Sequence, residues 1–285
     1  MRTRSFVVGG VFLSALSIAV PAAAQRFPFE RAYDVGQSPV IDVSTTRGKI
    51  NIRVGDPGRV VVTGAATIRL GLTVPSQAVD MARKVAANPP IERNGDQLRL
   101  RSPQDPDENR AMTVNYDLRV PPNTRVVAVS DSGAIDVRDI AGHVEVRTQS
   151  SAISLMSLGS ADIESGSGAV RLDGSSGPIR ITTSSSGITA RGIRGGLQTR
   201  TESGHTTVSG APSAPWDVST GSSGIDVDFD APVNAMLRAQ TSSGSVNTPQ
   251  RMVKGSIERQ RVDGAIGEGG PTVRLISRSG SIRVR

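Results

Sequence analysis

Along most of the chain, apolar and polar residues alternate one for one. Val144/Val146, Ile179/Ile181, Trp216/Val218 and Val273/Leu275 are such pairs, as are Ile135/Val137, Val170/Leu172, Ile225/Val227 and Ile282/Val284. A period of two predicts extended strands with one buried face, whereas a helix spaces its apolar residues three and four apart. From about residue 126 the strands flank a recurring centre, in a unit that reads apolar-x-apolar-x-[Ser/Thr]-x-Ser-[Gly/Ser]-x-apolar-x-apolar. The centres, or pivots, are Gly133, Ser151, Gly168, Ser186, Gly204, Ser223, Gly244 and Gly280, with a ninth copy far upstream at Gly48. They return about every 18 residues, and the interval from Gly244 to Gly280 reads as two such steps.

The columns of this repeat predict its geometry. Three places before the pivot stands Ser or Thr: Thr45, Ser130, Thr148, Ser165, Thr183, Thr201, Thr220, Thr241 and Ser277. One place before it stands serine: Ser132, Ser150, Ser167, Ser185, Ser203, Ser222, Ser243 and Ser279. Along an extended chain the positions seven, five, three and one before the pivot share a parity, so all are expected to point inward. The apolar positions after the pivot have the opposite parity. The chain therefore turns a corner there, and glycine suits a corner because it accepts positive φ. A second turn, often marked by glycine (Gly142, Gly159, Gly177, Gly195), falls midway between pivots.

Two strands and two turns per repeat make one coil of a parallel β-solenoid, right-handed by the general crossover rule. Stacking equivalent positions predicts a continuous apolar core, with the Ser/Thr columns as hydroxyl ladders inside the corner, bonded to each other or to turn backbone. It also sets Arg147 beside Glu164 and Asp162 beside Arg180 on the outside. Val127 and Val129 point outward yet are apolar, which predicts that the upstream segment covers the first coil.

Three segments follow. Residues 1–24 read as a signal peptide: Arg2 and Arg4, an apolar run from Phe6 to Val20, and Ala22-Ala23-Ala24 before Gln25. The run is shorter than the roughly 20 residues that span a bilayer, no twin-arginine pair precedes it, and no cysteine follows to carry a lipid. Residues 25–123 read as a β-rich cap with one helix. Val40–Val43 and Lys49–Ile52 flank Gly48 as a repeat-like hairpin or coil, and Val60–Val62 and Leu98–Leu100 as further strands. Ala78, Met81, Ala82 and Val85 form a helical stripe, capped by Ser76 and stopped before Pro89-Pro90. Residues 124–285 read as the solenoid, with a mobile glycine-rich loop at about 248–271.

Composition narrows the chemistry. With no cysteine there is no disulfide, no thiolate metal site and no cysteine nucleophile. The net charge is +7, and Lys49, Lys84 and Lys254 are the only lysines, the other basic residues being arginine. Such a surplus is compatible with an anionic envelope surface without forming a polybasic patch. Aromatics make up 3% of the chain, and this scarcity counts against the stacking sites that single-stranded nucleic acids and sugars use.

The candidate chemical groups are few. His143 and His205 are placed outward, and neither is expected to sit between a serine and an aspartate as a hydrolase triad requires. Two histidines without cysteine make a poor transition-metal site. Asp226, Asp228 and Asp230 alternate along one strand, but without the glycine-rich nonapeptide of calcium-binding solenoids they read as a solvated acidic edge. The glycines from Gly264 to Gly270 lack the Lys-Ser/Thr of a phosphate loop. No catalytic, cofactor or metal site is expected, and the named positions are the structural pivots.

The S-G-x-I-x-V units, together with the run Gly264-Ala265-Ile266-Gly267-Glu268-Gly269-Gly270-Pro271 and the close Arg278-Ser279-Gly280-Ser281-Ile282, resemble a bacterial family of β-strand-repeat candidate adhesins of unknown function. More loosely, they are similar to its head-domain adhesin relatives. The resemblance spans roughly residues 38–285. The residue after the pivot, often aspartate in that family, is Ala134, Ala152, Ala169 or His205 here, so no acidic or cation role carries over. What the resemblance implies is a β-solenoid at the cell surface or in the periplasm.

The expectation is thus an exported, non-enzymatic solenoid that binds or scaffolds at the cell envelope. No transmembrane segment is expected after signal removal, and no nucleic-acid partner. The partner is unknown, with envelope polysaccharide or a membrane protein as the candidates. Two alternatives stand beside it: a carbohydrate-active β-helix enzyme or binder acting on envelope polysaccharide, and an accessory of a membrane-bound envelope-stress regulator.

Overall fold

In each coil the strand before the pivot joins one sheet and the strand after it joins the other. A computed structural model describes residues 25–69, 76–230, 232–249 and 252–285. The signal segment expected at 1–24 lies outside the described residues. His143–Thr148, Ser160–Ser165, Ile179–Thr183 and Leu197–Thr201 run parallel and in register in the first sheet. Ile153–Leu158, Val170–Ser175, Ile188–Ile193 and Thr206–Gly210 do the same in the second. Among the described residues the sheets number thirteen and twelve strands. Their inward Val, Ile and Leu side chains are buried and merge into one apolar core, as alternation on a half-buried sheet requires.

At the pivots Gly133 and Gly168, glycine serves close approach and not positive φ. Neither Gly133 nor Gly168 has a positive φ; instead, a β-carbon on either would overlap the backbone carbonyl of the coil stacked beneath it, Gly48 or Ser151. The left-handed backbone lies six residues further on, in a bulge repeated from coil to coil at Asp139 (φ 59°), Ser157 (52°), Gly174 (83°) and Gly192 (61°).

The Ser/Thr column three places before the pivot is buried and ties the corner. The N–H groups of Gly133, Gly168 and Gly204 donate to the hydroxyls of Ser130 (2.7 Å), Ser165 (3.1 Å) and Thr201 (3.0 Å), and the Thr45 hydroxyl donates to the Gly48 carbonyl at 2.8 Å. The serine column one place before the pivot is exposed, against the parity expectation. The bend begins two residues before the pivot, so parity is lost there. These serines reach sideways to the neighbouring coil, Ser132 to the Thr46 carbonyl (3.3 Å) and Ser150 to that of Asp131 (3.3 Å).

At the N-terminal end, the Gly48 copy is a complete coil. Val40–Thr45 pairs with Arg125–Ser130 and Ile50–Val54 with Ile135–Arg138. Gln97–Leu100 and Met112–Val120 continue the two sheets beyond it, and the antiparallel strands Ile91–Asn94, Arg59–Ile68 and Arg26–Asp34 finish them. Helix Ser76–Ala87 forms as its stripe predicts and buries Ala78, Ala82 and Val85; the side chain of Ser76 is outside the described residues. A second short helix, Pro106–Ala111, was not legible from periodicity; it is capped by Asp105, whose carboxylate accepts from the N–H groups of Asp107 and Glu108. Val127 and Val129 are not covered. They are half-exposed, flanked in register by Asp42 and Glu145 and by Ser44 and Arg147, because the upstream coil extends the sheet sideways and does not overlie it.

At the C-terminal end the coils leave sequence order. Thr272–Ser277 and Ile282–Val284 pair on one side with Trp216–Thr220 and Ile225–Phe229 and on the other with Ala235–Thr241 and Val246–Asn247. The Gly280 coil thus lies between two earlier ones, and the interval from Gly244 is not two steps of one helical climb. The segment expected as a mobile loop contains Met252–Ile257 and Arg261–Ile266, antiparallel to each other, with the second antiparallel to Ala235–Thr241. Val262 and Ile266 are buried, since an apolar face at the end of the stack needs closing. Among the described residues no helix is long and apolar enough to cross a membrane.

Candidate functional site

Outward side chains on neighbouring coils stand about 4.8 Å apart, close enough for charges to pair across coils. Arg147 meets Glu164 of the next coil at 3.0 Å and Glu145 of its own strand at 2.7 Å. Arg274 meets Asp217 at 3.5 Å. Asp162 and Arg180 are in register as expected, but the group that approaches Asp162 is His143.

Two of the three acids in the strip are matched, while Asp230 stands exposed just beyond the strand Ile225–Phe229. Asp226 takes His205 Nε2 at 3.0 Å and Arg283 Nη1 at 3.8 Å, and Asp228 takes Arg285 Nη1 at 3.7 Å. These arginines come from the coil inserted out of order, so a reading of neighbours by sequence order does not find them. Among the described residues no group of three or more His, Asp or Glu is placed to hold a metal ion.

His143 stands between a serine and an aspartate, against the expectation. Its Nδ1 lies 3.0 Å from Ser160 Oγ and its Nε2 lies 3.5 Å from Asp162 Oδ2. Parallel register puts His143 directly opposite Ser160, and Asp162 follows two residues on, on the same face. Acyl transfer also needs N–H donors aimed at the developing oxyanion. The amides flanking Ser160 are engaged, Gly159 N–H with the Ile140 carbonyl (2.9 Å) and Ala161 N–H with that of Pro178 (3.2 Å).

The three residues open onto a trough of about 440 Å³ that runs across successive coils. Pro178, Gly196 and Pro215 keep its edge low, and Asp162, Arg180, Gln198 and Asp217 flank it. The low edge is the column eight places before the pivot and the flank the column six places before it, and extending the repeat alignment one position further upstream reveals the first. What the arrangement offers is a row of hydrogen-bond donors and acceptors at coil spacing.

One titratable group is deeply buried near the N-terminal end. Tyr116 is enclosed and its hydroxyl donates to the Arg101 carbonyl at 2.7 Å. Burial raises its phenol above the ordinary value. Arg101 forks onto Asp42 at 2.6 and 2.9 Å, and this hydrogen bonding holds the guanidinium proton more tightly than usual.

Parallel coils, buried hydroxyl corners and glycines at backbone contacts define a repeat β-solenoid. The chain belongs to the Toastrack DUF4097 family, whose model matches residues 79–285. The resemblance read from the Ser-Gly units is thereby borne out. No curated protein matches the chain in sequence. Among solved structures, a candidate adhesin from Bacteroides fragilis is similar at 11% identity and a TM-score of 0.45, over 90% of this chain and 97% of its own. A candidate cell adhesion protein from Clostridium sporogenes is similar at 10% identity and a TM-score of 0.20, over 90% and 98%.

Proposed function

We propose that this protein is an exported, non-catalytic β-solenoid that binds or scaffolds at the bacterial cell envelope. The observation that carries the reading is the pairing of its outer acids. Asp226 and Asp228, which lie on one strand face and are the best-placed candidates for a carboxylate pair, are held by His205, Arg283 and Arg285. Paired carboxylates of this kind suit a rigid recognition surface better than acid–base turnover, which needs one acid and one base directed at a common substrate atom. Export rests on the basic, apolar and small-residue order of residues 1–24. A second reading, a binder of envelope polysaccharide, draws on the trough beside His143, whose polar flanks repeat at coil spacing.

The test combines processing and turnover. Envelope-fraction protein is expected to have an intact mass beginning at Gln25, and retention of Met1 refutes export by cleavage. The purified mature chain is expected to release no reducing ends or unsaturated products from peptidoglycan, alginate, pectin or exopolysaccharide. Turnover that vanishes in Asp226→Asn/Asp228→Asn, or in Ser160→Ala, overturns the non-catalytic reading.

A further inference from the structure

The coil formed by Thr272–Ser277 and Ile282–Val284 occupies a slot between two coils that precede it in sequence. In the first sheet Val273, Leu275 and Ser277 are paired with Trp216, Val218 and Thr220 on one side and with Leu237, Ala239 and Thr241 on the other. In the second sheet Ile282 lies between Ile225 and Val246. Every strand contact the coil makes is therefore to residues 216–247. The Ser277 hydroxyl donates to the Ser223 carbonyl (2.9 Å) and the Thr241 hydroxyl to the Gly280 carbonyl (2.8 Å). Arg274, Arg283 and Arg285 face Asp217, Asp226 and Asp228.

On its N-terminal side the coil is tethered by Gly267-Glu268-Gly269-Gly270-Pro271. This hinge crosses the start of the Ala235–Thr241 strand: Ile266 pairs with Ala235 on one edge, and Thr272 pairs with Met236 on the other. It wraps Asn234, whose side-chain oxygen accepts from the Glu268 N–H at 3.0 Å, and the Pro271 carbonyl accepts from the Met236 N–H at 3.0 Å.

We propose that residues 272–285 are a transferable coil, and that the slot between Trp216–Phe229 and Ala235–Asn247 accepts the same coil from a second copy of this chain in a reciprocal, closed exchange. The occupant follows from the contacts. An identical coil from another copy makes all of them again, and nothing in the slot distinguishes the two sources. Exchange of identical elements costs little beyond association, so hinge geometry and concentration set the balance. The out-of-order insertion supplies the opportunity. The 235–247 coil is made first and has to leave room for a later one, and a second copy is able to fill that room. A hinge too short to cross Asn234 favours exchange. The proposal is independent of what the protein binds.

Because the chain has no cysteine, a designed pair reports the exchange directly. Asp217→Cys/Arg274→Cys joins register partners whose native side chains already meet at 3.5 Å. Heavy-isotope and light full-length chains are mixed across a range of concentrations, loosened briefly in sub-denaturing urea, diluted and oxidised, and their disulfides are mapped by mass spectrometry. The expected result is a heavy–light disulfide between positions 217 and 274 whose share rises with concentration. Deleting Gly269 and Gly270 is expected to raise that share about tenfold, the change that a modest hinge strain produces. Asp226→Cys/Arg283→Cys gives an independent reading in the other sheet should the first pair disturb folding, and native mass spectrometry of the unsubstituted chain needs no substitution at all. Disulfides confined to single chains at every concentration, with the shortened hinge included, overturn the proposal, as does a native mass that stays monomeric throughout.

Discussion

The carbonyl oxygen of Ser151 occupies the space that a β-carbon on Gly168 would need. A β-carbon on Gly174, six residues later, would meet nothing nearer than 3.7 Å, and the constraint there is a φ of 83°. The two glycines therefore fail differently. Gly174→Ala is expected to cost about 1–2 kcal/mol, the left-handed penalty alone. Gly168→Ala has to push stacked backbones away from each other and is expected to cost about 3 kcal/mol or more, as overpacking without relief does. Urea unfolding of both variants checks this, and equal losses would mean that the coils are less tightly stacked than the geometry requires.

Ile181 is fully buried and Arg180 beside it is exposed. Ile181→Ala is expected to cost about 2–5 kcal/mol, and Arg180→Ala to stay within about 1 kcal/mol. A similar midpoint shift in the two variants would contradict the alternation on which the whole fold rests.

Tyr116 predicts an alkaline limit to stability. Its folded phenol is raised above the unfolded value near 10, so the folded state holds its proton longer than the unfolded chain does. The stabilisation is complete below pH 10 and is lost as pH rises from there through the folded value. Unfolding free energy measured from pH 8 to 12 is expected to fall above pH 10, and to fall less steeply in Tyr116→Phe. Since Tyr33 is raised as well, again chiefly by burial, its phenylalanine variant is the control. An unchanged slope in Tyr116→Phe would remove Tyr116 from the account.

The coil was legible because its evidence is columnar. Ser130, Ser165 and Thr201 recur at one offset from Gly133, Gly168 and Gly204, and a column cannot arise without stacking. Parity failed at Ser132 and Ser150 because alternation describes extended chain, and the bend has already begun there. The expected ion pair of Arg147 with Glu164 formed because both lie in consecutive coils. The pairing of Asp226 with Arg283 stayed hidden because those coils are neighbours in space and not in sequence. The same holds for His143 with Ser160 and Asp162: register was predictable, but rotamer choice decided that the imidazole turns toward Asp162 while Arg180 does not. Gly168 is legible as a repeat position, but its cause is not, since close approach to Ser151 depends on coil spacing, which no single repeat encodes.

Three of the four outer edges among the described residues are antiparallel strands: Arg26–Asp34, Ile91–Asn94 and Met252–Ile257. The fourth, Val246–Asn247, is only two residues long. A row of like parallel coils is in principle a seed for endless fibre growth, since each exposed rung matches the next molecule's first rung. Reversing the strand direction at the rims spoils that match, and Pro28 withholds a hydrogen-bond donor from the longest of them. The molecule is thereby a rod of fixed length, able to exist at high local concentration without becoming a filament.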